Sequence, residues 1–359
     1  MQEPRHAHTD PTETVDLSSP YEVQTRIGLI LKRVWPDYDH ETLAHAIDDV
    51  ARAFRGDYPG LLRCDTFYHD LRHALDAGLA MARLLDGHAR ATREAGGPII
   101  DTDHALLGVL LALYHDIGLL RRDDEAHLQG ASLTPVHERR GVGFMTGYLS
   151  KTPLGHLAEK AELIMVTRLD YHMPRNMPPV DDALACLLGS SDLMAQLADR
   201  NYLEKCREFL FIEFSAIGIA GSSDGPYPTP EILLKKTPAF YTGLLRQRIH
   251  DEYGDADRFM AAHFEGTDPY TALDRAQLQF PAEDFDRRGF QSVASAAFAS
   301  DRRQLTDGLF VRRHQGDDVR RRERLRVKGP IAIRIGHTGG HQILEIEQVG
   351  VHQMRWRDA

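Results

Sequence analysis

Cysteine is scarce: the 359 residues hold three, Cys64, Cys186 and Cys206, with no paired spacing. That excludes a disulfide-stapled secreted scaffold and a thiolate zinc site, and it fits a reducing compartment. Long apolar runs are missing too. No stretch approaches the ~20 consecutive apolar residues of a bilayer span, and the first residues, Met1-Gln2-Glu3-Pro4-Arg5-His6, lack the apolar segment of a secretion signal. The expectation is a cytoplasmic protein with no membrane partner. Convincing strand patterns are almost absent before residue 300, which leaves a helical architecture.

Helical periodicity is what the sequence does have. Residues 1–18 are polar and proline-containing, and their composition predicts disorder. Ser19-Pro20 then supplies a cap and a proline at the first helical position, opening a helix through Ile27, Leu31 and Val34. Further helical patterns cover 41–55, 66–94, 102–118, 137–150, 154–168, 181–198 and 199–216. After the loop at Gly221-Ser222-Ser223-Asp224-Gly225-Pro226, a helical pair starts at Thr229-Pro230 and reaches about residue 264. With 42% hydrophobic residues the chain can bury one substantial core and carry a smaller module besides. We therefore expect an all-α bundle over 19–275 and a basic, β-containing C-terminal extension over 276–359.

Polar residues inside apolar helical stretches are costly unless something binds them. Tyr68-His69-Asp70-Leu71-Arg72-His73 places two histidines four apart, one turn on the same helix face. The pair His115-Asp116 ends the apolar run from Leu106 to Leu113. His137 opens Val136-His137-Glu138-Arg139-Arg140-Gly141, His172 follows Leu163-Ile164-Met165-Val166, and Asp192 interrupts Cys186-Leu187-Leu188-Gly189-Ser190-Ser191-Asp192-Leu193-Met194. Several imidazoles with two carboxylates and no cysteine fit iron, manganese, zinc or cobalt, with magnesium at a carboxylate-rich position. Asp116 is the natural bridge between two ions ~3.5–4 Å apart. Arg72, Arg139, Lys160 and Arg168 are candidate phosphate clamps, although a solvated helix face is the plainer reading of each. Asp170 is placed to support the His172 ring.

The order His73, His115-Asp116, His137, His172, Asp192 resembles the HD superfamily of metal-dependent phosphohydrolases. Tyr68 to Ala74 is also similar to the tyrosine-histidine-asparagine signature of class I cyclic-nucleotide phosphodiesterases. The resemblance covers residues 60 to 200 by motif and extends to about 265 by helical pattern. It implies an HD-domain helical bundle in which His69 is the general acid, His73, His115, Asp116 and Asp192 hold a first divalent ion, and His137 and His172 hold a second. The implied activity is cleavage of a phosphoester, of a nucleotide or cyclic nucleotide, by a hydroxide bridging the two ions. Asp70 departs from the signature's asparagine, and Ile117-Gly118-Leu119-Leu120-Arg121-Arg122 lacks the further histidine of the phosphodiesterases. An HD-fold di-iron oxygenase and a nucleotide-binding signalling module with little turnover are the alternatives.

Residues 301–359 hold 13 Lys or Arg against 8 Asp or Glu, a net of +5, so the preceding 300 residues carry −15 of the total −10. An arginine cluster, Arg320-Arg321-Arg322-Glu323-Arg324-Leu325-Arg326, leads into strand-like alternation at 331–335, 343–347 and 351–356. Arginines ahead of a β segment faintly resemble the start of a PilZ domain, which implies a cyclic dinucleotide as ligand. A helper domain or a homodimer contact is the default role.

Overall fold

Ser19 starts the first helix. In the computed structural model, which describes residues 8–278 and the segments 331–338 and 341–348, its hydroxyl accepts the Glu22 N–H at 3.3 Å and α1 runs over Pro20–Val34. Asp39 caps α2 (His40–Arg55), which ends on Gly56 in the left-handed region. Asp70 caps α3 (Leu71–Glu94) and Asp101 caps α4 (Thr102–Tyr114). Each short acidic or hydroxyl side chain satisfies an N–H that the helix itself leaves unpaired.

The mostly helical architecture is centred on α3. From His73 to Gly87 it is buried at every position, enclosed by α1, α4, α6 (Pro179–Leu197) and α11 (Arg258–His263). α4 is apolar on all sides, as an enclosed helix must be. It lies against α3 with Leu113 at Gly78 and Met81 at Gly108, so the end of α4 returns to the start of α3. α5 (His137–Leu149) packs on a 3₁₀ helix at Pro153–Thr167, where the sequence pattern suggested an ordinary α-helix.

The C-terminal half of this unit contains two π turns. α7 (Tyr202–Lys205) passes through one at Cys206–Leu210 into α8 (Phe211–Ala216). α9 (Pro230–Phe240) passes through the other at Tyr241–Leu245 into α10 (Arg246–Asp251). Pro238, inside α9, withholds a backbone N–H just before the second π turn, a sufficient local cause for the changed ladder. α12 (Pro269–Leu278) is the last helix described, and it runs past the expected limit at 275.

The amino-terminal expectation needs correction. Residues 8–18 form a packed strap, with Thr9 bridged to Asp16 and with Val15 and Leu17 in the core. Asp10 is fully buried and accepts Arg83 Nη2 at 2.6 Å as well as the backbone N–H groups of Thr14 and Val15. Burial opposes its charge, but the Arg83 guanidinium and these donors outweigh burial and hold the carboxyl below its ordinary range. A polar composition therefore conceals a buried ion pair. Residues 1–7 lie outside the described residues.

The chain divides into two units, Met1–Ala297 and Phe298–Ala359. In the second, β1 (Ile331–Thr338) and β2 (His341–Gln348) pair antiparallel, with Ile333 opposite Ile346 and Arg334 opposite Glu345. The arginine cluster and the expected strand at 351–356 lie outside the described residues.

Candidate metal centre

Helix ends build the site. His73 lies in the first turn of α3, His115 caps the C-terminus of α4, and Asp116 begins the 3₁₀ turn Ile117–Leu119. His137 opens α5 and Asp192 comes from the middle of α6. His73 Nε2 is 3.2 Å from His115 Nε2. Asp116 Oδ2 is 3.0 Å from His115 Nε2 and 3.5 Å from His73 Nε2. Asp192 Oδ1 lies 3.2 Å from His73 Nε2 and 3.4 Å from His115 Nε2. His137 Nε2 approaches the other Asp116 oxygen, Oδ1, at 3.4 Å.

Hydrogen bonds on the far side of two rings fix which nitrogen faces the cluster. His115 Nδ1 is 2.8 Å from the Ala112 carbonyl and His137 Nδ1 is 2.6 Å from the Thr134 carbonyl. A carbonyl only accepts, so each Nδ1 carries the hydrogen and each neutral ring presents an Nε2 lone pair to its neighbours. Asp116 Oδ2 is buried and accepts no well-formed hydrogen bond. Lone pairs and carboxylate oxygens converging in a dry space repel unless a cation sits among them. Buried His73, His115 and Asp116 offer ligand atoms all within 4.8 Å of one another, which fits a metal ion. Burial works against a charge on His115, but Asp116 and Asp192 push its pKa well above the ordinary histidine value. Burial also resists the charge on Asp192, while His115 and His73 hold its carboxyl below the usual range. The same field that would retain a proton there attracts a divalent cation.

His69 stands beside this cluster, its ring centroid 6.1 Å from that of His73. Helical spacing is not the reason. The helix begins only at Leu71, because Asp70 turns its carboxylate to cap the His73 N–H at 2.9 Å, and His69 approaches from the preceding bend. Glu213 of α8 anchors it: Oε2 lies 2.7 Å from His69 Nδ1, and Oε1 accepts the Tyr68 N–H at 2.8 Å. Burial pulls the His69 pKa down, but Glu213 and the cluster carboxylates overcome it and raise the value to about 9. A protonated ring with Nδ1 bound to Glu213 leaves Nε2–H as a free donor. The sequence candidates do not include Glu213, which follows the apolar run Phe209-Leu210-Phe211-Ile212. The criterion that found His115 would have found it, since Glu213 is a buried carboxylate at the end of that apolar run.

His172 is not brought to the cluster. Its side chain is 85% exposed and faces Glu252 at 3.2 Å. The 3₁₀ helix stops at Thr167, and Arg248 of α10 holds the following turn by donating to the carbonyls of Val166, Arg168, Leu169 and Tyr171. Pro174 then keeps the chain extended. The sixth ligand expected from sequence is thus absent from this arrangement. Asp170 pairs with Arg168 rather than with His172. Arg139 pairs with Glu162, Lys160 with Asp181, and Arg72 contacts His8 of the strap.

Residues 60–266 match the profile of the family described as Npun_R2479-like. That is more than half of the chain and includes every residue of the cluster, so the chain belongs to this family. A 96-residue stretch is 34% identical to the flagellar basal-body rod protein FlgF of Rhizobium meliloti (strain 1021), covering 26% of this chain and 39% of that protein. The chain thus spans well under half of that relative's length. No solved structure matches the chain.

Proposed function

We propose that this member of the Npun_R2479-like family is a metal-dependent phosphohydrolase that cleaves a small phosphoester. One observation carries the reading: the His69 imidazole, held at Nδ1 by Glu213, stands beside buried His73, His115 and Asp116, with the Asp192 carboxylate closing on the same two rings. The same reading assigns the bundle to the HD type and gives the C-terminal unit a small β fold around its hairpin. Divalent cations held by His73, His115, Asp116 and Asp192, with His137 at the second Asp116 oxygen, would neutralise phosphate charge and acidify a water. His172 has no part in this scheme.

The chain's own residues supply the rest. The water's oxygen bonds to phosphorus as one of its protons leaves to solvent, the ester P–O bond breaks, and the departing oxygen takes the Nε2 proton of His69, which solvent then restores. Glu213 keeps the Nδ1–H engaged, so the ring cannot rotate away and its positive charge is balanced. His69→Ala is expected to keep its metal and to lose ~10²–10⁴-fold in turnover of esters with poor leaving groups. An activated aryl ester, whose oxygen needs no proton, should suffer far less. Equal loss on both substrates, at full metal content, removes His69 from the acid role. Asp116→Ala should lose metal and turnover together.

A further inference from the structure

Exposed apolar side chains lie on the segments that carry this site. Among the described residues eight large hydrophobics are exposed, and four of them adjoin the site's segments: Phe67 (52%), Ile212 (49%), Val136 (48%) and Leu169 (47%). Phe67 is two residues before His69, Val136 precedes His137, and Ile212 precedes Glu213. Leu169 follows Arg168, whose guanidinium donates to the Pro135 carbonyl at 2.7 Å. These segments touch one another. The bend carrying Phe67 is bonded to α8 through Glu213, the Phe67 ring lies 5.7 Å from that of Phe209, and α8 packs against the 3₁₀ helix Gly130–Val136. Scattered exposed apolar residues are ordinary on any surface. Four of them on the segments that carry a polar cluster leave apolar area in water beside it.

The charged groups point the same way. Of the four side chains suited to gripping additional phosphates, Arg139, Lys160 and Arg168 are each engaged by a carboxylate, Glu162, Asp181 and Asp170, and Arg72 contacts His8 of the strap. Resting on the phosphoester reading above, we infer that the substrate's organic part is apolar, an alkyl or aryl group laid on Phe67, Ile212, Val136 and Leu169 while its single phosphate meets the cation cluster. A polyphosphate nucleotide is the poorer fit.

Alkylphosphonates test this without turnover, because their C–P bond is not an ester. Calorimetry of the full chain loaded with manganese, using methyl-, butyl- and octylphosphonate, should show Kd falling about threefold to fourfold per methylene that reaches these side chains. Phe67→Ser and Ile212→Ser should flatten that dependence with metal content unchanged, whereas Leu29→Ser, an equally exposed change on α1, should preserve it. Binding that is independent of chain length overturns the inference and leaves the hydrolase reading standing. A clear chain-length dependence in protein that hydrolyses no ester sinks the hydrolase reading and keeps the apolar-ligand assignment. No phosphonate binding at all removes both. If sedimentation instead shows a dimer that Phe67→Ser and Ile212→Ser dissolve, with no chain-length effect, these side chains serve a second copy of this chain.

Discussion

Two residues hold the histidines beside the cluster: Glu213 binds His69 and Asp70 caps the His73 N–H, and the proposed acid role depends on the first. With Glu213 in place the His69 pKa stands at about 9, so the ring is a loaded acid at neutral pH and loses its proton as pH rises through about 9. Turnover of esters with poor leaving groups should therefore fall on the alkaline side. Glu213→Gln keeps a hydrogen-bond acceptor but removes the charge, and it should move that alkaline limb down by more than one pH unit. A pH–rate profile with the limb unmoved would detach Glu213 from the acid. Asp70 explains the departure from the asparagine signature, since either side chain can accept the His73 N–H as a helix cap. Asp70→Asn should leave stability nearly unchanged, while Asp70→Ala should cost ~1 kcal/mol in urea titration.

At the level of elements, the turn after α4 is pressed against the start of α5. A Cβ added at Gly118 would lie 1.9 Å from the His137 carbonyl oxygen, a backbone atom that cannot step aside. Gly118→Ala should cost ~1–3 kcal/mol or more and displace His137, read as a lower unfolding midpoint together with a lower metal stoichiometry. Gly143→Ala, within α5 and with open space around it, should instead stabilise by ~0.5–1 kcal/mol. The legible parts of the fold are those decided within one helical turn, the cap at Ser19 and the charged pair closing an apolar run. Errors came where a distant partner decided. Nothing near His172 reveals that Arg248 will pin its loop, and nothing near Asp10 reveals Arg83, 73 residues away. Helical spacing misplaces His69 because Asp70 is the cap that starts the helix, not a residue within it.

For the whole molecule, the cluster draws its side chains from four elements: α3, the end of α4, α5 and α6. A cation held there would bind the folded chain and find no such arrangement in the unfolded one, so it must stabilise the fold by mass action. At a free metal concentration of 100 times Kd the gain is ~2.7 kcal/mol, which for a large domain corresponds to roughly 5–10 °C in Tm. Chelator-treated protein titrated with manganese, zinc or ferrous iron should show this rise by calorimetry. Asp116→Ala should abolish it, because the bridging oxygens are gone and the rings of His73, His115 and His137 lose their common neighbour. His172→Ala should leave the rise intact, since that ring faces Glu252 at the surface. A rise that disappears in His172→Ala would mean that the loop after Thr167 reaches the cation after all, and the four-element account of the site would fail. Identical Tm values with and without every metal would remove the centre itself.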